Sequence, residues 1–169
     1  MGPLTAPAAR AVAHLTTRSA RATWRLGERL GAALQPGDVV ALVGDLGAGK
    51  TQLVRGACHG AGVADADVSS PTFAIVQAYR GRLALQHADL YRLADLDELY
   101  ATGFMDLVGG DGALLVEWAD RVAGWAPAEA LVIRLEEVAG RPTTRRLTLE
   151  GTGDRHVALL ELLAAAGTR

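Results

Sequence analysis

The chain has 169 residues, half of them hydrophobic, and a formal net charge of −2. This length is typical of one domain with a substantial core. The near-neutral charge argues against a protein that grips nucleic acid alone, because such proteins present a strongly basic face. A lone cysteine, Cys58, excludes a disulfide framework and a cysteine-based zinc site. No apolar run approaches the roughly 20 residues of a membrane span, so we expect a cytoplasmic protein.

The N-terminal part of the chain contains one predicted helix. Residues 1–18 are rich in Ala, Pro, Thr and Arg, and the alternatives for them are a transit peptide and a flexible extension. We expect the flexible extension, followed by a single domain over residues 19–169. Ser19 is a suitable N-cap for a helix that runs to about Leu34 and is ended by Gln35-Pro36-Gly37. Asp38 to Val43 (DVVALV) then reads as a buried strand.

This strand leads directly into GDLGAGKT (Gly44 to Thr51), which fits the phosphate-binding P-loop pattern GxxxxGK(S/T) at every fixed position. Lys50 is the single lysine of a chain that otherwise uses arginine. A slim ammonium suits this position better than a planar guanidinium fork. We expect Lys50 to reach the β and γ phosphates and the hydroxyl of Thr51 to bind magnesium.

The rest of the loop is expected to bind phosphate through its backbone. Its glycines permit left-handed dihedrals and a close approach of bare backbone to the ligand. The N-terminus of the helix that begins near Lys50 and runs to about Gly60 adds its dipole to the same anion. The predicted backbone contacts are those of Asp45, Leu46, Gly47, Ala48 and Gly49.

The second half of the chain predicts more strands than helices. Two strands, from Phe73 to Tyr79 and from Leu83 to Ala88, are joined by a short turn that indicates a hairpin. The next predicted elements are a helix from Leu96 to Val108, interrupted at Gly103, and a short strand from Ala113 to Val116. A strand pair from Ala130 to Val138 and from Arg145 to Glu150 follows, and a helix from His156 to Ala166 closes the chain. We therefore predict a single α/β domain with a mixed sheet, a parallel core, antiparallel additions and helices on both faces.

Two acids lie where predicted strands end, the edge at which such sheets bind ligands. Glu117 follows ALLV, an arrangement in which an acid holds magnesium directly or through water. Asp89 ends the strand before Leu90-Tyr91-Arg92, where it would position the attacking water or support the metal. For each acid the alternative is a solvated carboxylate at a strand end or helix cap.

Three further features are candidate parts of the site. His87 is either a site residue or a histidine packed beside a strand end. Trp118 is either an exposed gating or docking residue or part of the core. Ser69 to Phe73 is a turn entering a strand, and its hydroxyls are suited to a switch that senses the γ phosphate.

Taken together, these residues resemble the TsaE family, the small bacterial P-loop ATPases of tRNA threonylcarbamoyladenosine biosynthesis. The resemblance rests on the order and spacing of GDLGAGKT, Arg55-Gly56, SPTF (Ser70 to Phe73), Tyr79, HADLYRL (His87 to Leu93), Gly103 and VEW (Val116 to Trp118), and covers roughly Ser19 to Gly151.

The resemblance implies a function and a set of roles. It implies an ATPase with ATP or ADP and Mg²⁺ as cofactors, in which Lys50, Asp89 and Glu117 are catalytic and Thr51 and Glu117 hold the metal. It places Gly140 and Arg141 near the base of the nucleotide. It also implies TsaD and TsaB as partners, with tRNA contacted only indirectly, and slow hydrolysis until a partner completes the site.

Three other function classes are compared with this one. A GTPase needs a guanine-reading NKxD segment, which cannot exist in a chain whose single lysine is Lys50. A small P-loop kinase shares the loop and the length, but usually carries an arginine-rich lid and an acceptor pocket. A nucleotide-dependent interaction module would bind ATP with the same loop and show no turnover.

Overall fold

The computed structural model describes residues 7–64, 68 and 75–166, which form a seven-stranded sheet with helices on both faces. The strand order is β1-β7-β6-β2-β5-β4-β3. The strands are β1 (Arg10–Thr17), β2 (Val39–Val43), β3 (Val76–Arg80), β4 (Ala84–Asp89), β5 (Ala113–Glu117), β6 (Leu131–Val138) and β7 (Arg141–Thr152), and the helices are α1 (Ala20–Ala33), α2 (Lys50–Gly60), α3 (Leu96–Ala101) and α4 (Asp154–Ala166).

The predicted mixed sheet is confirmed. Strands β6, β2, β5 and β4 are parallel to one another and form the centre. Antiparallel strands extend it on both sides, with β3 beside β4 and with β7 and β1 beyond β6. Because β2 and β5 are adjacent and parallel, the P-loop and Glu117 emerge at the same edge of the sheet.

The sequence prediction for residues 1–18 is wrong in one part. Residues 10–17 are not an extension but the edge strand β1, which pairs with β7 from Arg10↔Thr152 to Thr17↔Arg145. The segment alternates small or apolar residues with polar ones, the period-two pattern of a strand with one face on the core. Ala11, Ala13 and Leu15 pack against the core, so the domain begins before Ser19.

The predicted helices are confirmed with small shifts. Ser19 caps α1, and its side chain accepts a hydrogen bond from the backbone N–H of Ala22 at 3.0 Å. The predicted interruption at Gly103 separates α3 from a 3₁₀ turn over Phe104–Leu107, because Gly103 adopts a left-handed conformation with φ of 76°. Strands β3 and β4 form the predicted hairpin. Residues 69–74, including the SPTF motif and the start of the predicted strand, lie outside the described residues.

Helices α1 and α2 pack against each other through glycines on both partners. Gly27 and Gly31 of α1 face the backbone of α2, and Gly56 and Gly60 of α2 face the backbone of α1. A Cβ atom built on any of the four would lie between 1.8 and 2.0 Å from a carbonyl oxygen of the partner helix. Backbones this close need glycine, and each pair is spaced four residues apart so that both members lie on one face.

The sheet separates two hydrophobic clusters. Leu53, Val54 and Ala57 of α2 and Leu30 of α1 pack on one face, together with the inward residues of the central strands. Phe104 and neighbouring residues cover the other face. Among residues 7–64, 68 and 75–166 we find no helix whose length and hydropathy would let it span a membrane.

Candidate nucleotide site

The P-loop connects the buried strand β2 to helix α2, the position that the motif requires. Gly47 and Gly49 have φ values of 80° and 108°, which side-chain-bearing residues rarely adopt. A Cβ atom on Gly44 would lie 2.7 Å from the carbonyl oxygen of Leu135 on β6. The loop therefore needs its glycines for two reasons, left-handed dihedrals and close contact with the neighbouring strand.

The residues of the loop differ in exposure. Leu46 is 87% exposed at the tip, with Asp45 and Gly47 also exposed, whereas Ala48 is buried. Gly49 is the N-cap of α2, and because glycine has no side chain, no side-chain hydrogen bond caps this end of the helix. This arrangement leaves backbone N–H groups at the N-terminal end of α2 for an anion.

Lys50 is only 5% exposed. Its ammonium donates to the carbonyl oxygens of Gly44 and of Asp45, the latter at 2.9 Å. It also lies 4.1 Å from the centre of the Trp118 ring, a cation–π contact. Burial lowers the pKa of Lys50 below its ordinary value, an effect that the charges of Glu117 and Asp89 oppose.

Thr51 and Glu117 meet across the edge of the sheet. The hydroxyl of Thr51 donates to Oε1 of Glu117 at 2.8 Å, although the two residues are 66 positions apart in the chain. Glu117 is 2% exposed and ends β5, while Thr51 lies in the first turn of α2. The sequence predicted this pairing as a metal site, and the structure brings the two oxygens together.

Asp89 lies beside Glu117, because the two residues are register partners on the parallel strands β4 and β5. Asp89 is half-buried, and its carboxylate accepts a hydrogen bond from the backbone N–H of Tyr91 at 2.9 Å. Burial raises the pKa of Asp89 above its ordinary value, and the negative charge of Glu117 raises it further, while the bond from Tyr91 opposes the shift. Of the two acids, Glu117 is the one bonded to Thr51.

Two aromatic side chains cover this edge. Trp118 follows Glu117 with φ of 54°, a left-handed conformation that is rare for a bulky residue and is found at functional sites. Its ring lies 4.9 Å from the ring of Tyr91, which is 57% exposed. Trp118 is thus half-exposed and lies over Lys50, so the site interpretation of this residue is supported over the core interpretation.

Sequence reasoning missed Arg145 of β7. Its guanidinium donates to the P-loop carbonyl oxygens of Ala48 at 2.9 Å and of Gly47 at 3.1 Å, and also bonds its own strand at Pro142 and Thr144. The sequence around Arg145 does not distinguish it from the other arginines among the 16 of this chain. Its role depends on which loop β7 passes in the folded protein.

Two of the cavities that described residues line adjoin the loop. A cavity of about 280 Å³ lies between the start of α1, the P-loop and β7, and a cavity of about 620 Å³ lies between the P-loop and β6. Gly140 and Arg141, predicted near the nucleotide base, form the β6–β7 turn and the start of β7 but do not line either cavity. The smaller cavity is lined by Ala20, Thr23, Gly47, Gly49, Gln52, Pro142, Thr143 and Arg145.

The donor set around Thr51 fits a magnesium ion. A hydroxyl and a carboxylate oxygen 2.8 Å apart are the hard oxygen donors that Mg²⁺ prefers. Among the residues that the structure describes, no cluster of three or more His, Cys, Asp or Glu side chains forms a metal cage. A P-loop site needs none, because Mg²⁺ there keeps several waters and uses phosphate oxygens as further ligands.

Comparison with known proteins agrees with this geometry. The family model described as threonylcarbamoyl adenosine biosynthesis protein TsaE matches residues 17–147. The tRNA threonylcarbamoyladenosine biosynthesis protein TsaE of Treponema pallidum is 42% identical over 123 residues, which cover 73% of this chain and 90% of that protein. The proteins of the same name from Bacillus subtilis and Streptomyces coelicolor are 39% and 38% identical, each over 77% of this chain and over 80% and 90% of their own lengths.

A solved structure shows the same fold. The crystal structure of YdiB from Bacillus subtilis superposes with a TM-score of 0.76 at 30% sequence identity, covering 94% of this chain and 97% of that chain. At this coverage the match extends over almost the whole domain, not the P-loop alone. The chain belongs to the TsaE family of P-loop nucleotide-binding proteins of tRNA threonylcarbamoyladenosine biosynthesis.

Proposed function

We propose that this protein is a magnesium-dependent ATPase that acts with TsaD and TsaB in the threonylcarbamoyladenosine modification of tRNA. The observation that carries the proposal is the hydrogen bond between Thr51 and Glu117 at 2.8 Å. It joins the end of the P-loop to the acid of the adjacent strand, the pair of groups that P-loop NTPases use to hold the metal of a nucleotide.

Each residue of the site has a role that its position supports. The backbone N–H groups of the P-loop and of the first turn of α2 bind the phosphates. Lys50 leaves the carbonyl oxygens of Gly44 and Asp45 and places its charge on the β and γ phosphates. The depressed pKa of Lys50 recovers when it meets phosphate, because an anion favours the charged ammonium.

Thr51 and Glu117 would hold Mg²⁺, which, when bound, neutralises charge that develops on the phosphate oxygens. Asp89 is half-buried next to Glu117, and its raised pKa makes it a better proton acceptor than a solvated aspartate. We assign to Asp89 the orientation of the attacking water. Arg145 holds the loop from outside through the carbonyl oxygens of Gly47 and Ala48.

The proposed partners fit the charge of the chain. A subunit that does not bind tRNA directly needs no overall basic surface, and the net charge here is −2. We expect slow basal hydrolysis, because a small P-loop subunit needs a partner to supply the remaining charge stabilisation. A role in tRNA modification is consistent with the cytoplasm, and we propose that location for this protein.

The test is ATP hydrolysis by the wild type, Lys50→Ala, Thr51→Ala and Asp89→Asn, each with and without TsaD and TsaB, alongside formation of the modified nucleoside. The exposed Arg146→Gln serves as a control variant that leaves the site intact. We expect hydrolysis to rise with the partners and to fall by at least about 10²-fold in Lys50→Ala, since it loses the phosphate-binding charge.

The other function classes give different results in the same assay. Equal rates for wild type and Lys50→Ala would refute an ATPase at this loop. Phosphate transfer to a small acceptor in place of release would identify a kinase. Tight ATP binding without turnover in the complete assembly would identify an interaction module.

A further inference from the structure

His87 is a buried histidine behind the proposed metal site. It lies on β4 two residues before Asp89, on the same face of the sheet, and is 0% exposed. Its Nε2 lies 2.8 Å from Oε2 of Glu117, whose side chain is itself only 3% exposed. A carboxylate oxygen only accepts, so the Nε2–H of His87 is the donor.

The carboxylate of Glu117 is therefore held at both oxygens. Oε2 accepts from His87 and Oε1 accepts from Thr51, each at 2.8 Å. The bond from His87 comes from a strand within the sheet, whereas the bond from Thr51 comes from the P-loop helix. With Oε2 occupied, the rotation of the carboxylate is fixed and Oε1 is the oxygen that faces the nucleotide side.

We propose that His87 is a positioning residue that orients Glu117 for the metal, an inference that rests on the proposed function. The hydrogen-bond chain His87–Glu117–Thr51 has the form of the outer support that metal-binding carboxylates commonly have. In this role His87 contacts Glu117 and would itself touch neither nucleotide nor metal. Its other nitrogen, Nδ1, has no hydrogen-bond partner among the described residues, so the bond to Glu117 is the polar contact that fixes the ring.

A purely structural role for His87 is the alternative. A buried histidine replaced by leucine of similar bulk would then change stability and leave metal binding unchanged. His156 is the matched control, because it is also buried at 5% exposure and its Nε2 accepts from the backbone N–H of Val39 at 3.2 Å, away from Glu117.

The experiment compares His87→Leu, His87→Gln, His87→Asn and His156→Gln. Glutamine can place its amide nitrogen where Nε2 of histidine lies, whereas asparagine reaches only the Nδ1 position. Affinity for Mn²⁺ in the presence of ADP is measured by paramagnetic resonance of free Mn²⁺. Affinity for ADP in EDTA is measured by calorimetry, and thermal unfolding is recorded for each variant.

We expect His87→Leu and His87→Asn to bind Mn²⁺ at least about ten-fold more weakly than the wild type, the usual cost of losing such support. His87→Gln is expected to recover most of the loss, and ADP affinity in EDTA to change by less than about two-fold in all variants. If His87→Leu does not fold, the contrast between His87→Gln and His87→Asn decides the question.

Two results would overturn the proposal. One is Mn²⁺ affinity in His87→Leu, or in both polar variants, equal to that of the wild type. The other is a loss of the same size in His156→Gln or in ADP binding without metal. A wild type that binds Mn²⁺ and ADP but never hydrolyses ATP would refute the proposed function and leave the His87 comparison valid.

Discussion

Replacing Gly31 of α1 by alanine is expected to destabilise the protein, although alanine is the better helix former. Helix propensity alone would stabilise the variant by about 1 kcal/mol. Close packing against α2 opposes this gain. The added Cβ would lie 1.8 Å from the carbonyl oxygen of Ala57, 2.6 Å from its carbonyl carbon and 2.8 Å from its Cα.

The size of the clash decides whether Gly31→Ala stabilises or destabilises the protein. Ordinary contact begins at 3.4 Å, so the two helix backbones must move apart by about 1.6 Å at this point. All three contacting atoms are backbone, and therefore no side-chain rotation relieves them. Overpacking costs about 1–3 kcal/mol and sometimes more. Because the contacting backbone atoms cannot move aside as a flexible side chain can, we expect a cost at the upper end of this range. The net loss is about 2 kcal/mol after the propensity gain is subtracted.

Urea unfolding at neutral pH measures the decrease in the free energy of unfolding. For a chain of this size it corresponds to a decrease of about 4–8 °C in the unfolding temperature. Ala32→Gly, at the next and exposed position of α1, calibrates helix propensity alone. Because α2 begins with Lys50 and Thr51, we also expect Gly31→Ala to weaken ATP binding. Stability equal to or above that of the wild type would refute the packing argument.

Three further substitutions test other parts of the structure. Arg145→Gln removes the bonds to the P-loop and is expected to weaken ATP binding about ten-fold by calorimetry, with Arg146→Gln unchanged. Asp38→Ala leaves Arg155 without its bidentate partner at 2.6 and 2.8 Å, and urea unfolding should show a loss of about 3 kcal/mol. Burial lowers the pKa of His156 below its ordinary value of 6.5, so the unfolded state binds the proton more readily and stability falls as pH drops below 6.5. The free energy of unfolding of His156→Gln at pH 7.5, 6 and 5 should decline less than that of the wild type, and equal declines would contradict the role of this histidine.

Part of the fold follows from local pattern alone. Ser19 caps α1 as expected, and the hydrophobic run before Gly44 is the buried strand β2. The edge strand β1 was missed because its composition resembles that of a frayed terminus, and because its partner β7 lies at the other end of the chain. The glycine pairs of α1 and α2 carry a four-residue spacing, a signal of close helix packing that composition arguments overlook.

The sequence by itself determined the P-loop, its lysine and the kind of ligand, because a loop that binds phosphate through its own backbone is encoded in consecutive residues. It also predicted Glu117 and Asp89 as site residues, because acids at strand ends meet at one edge of a parallel sheet. Only the tertiary structure decided that Glu117 bonds Thr51, that His87 holds the second carboxylate oxygen, and that Arg145 supports the loop. These contacts join residues tens of positions apart, and their existence depends on strand order and register, which no local pattern records.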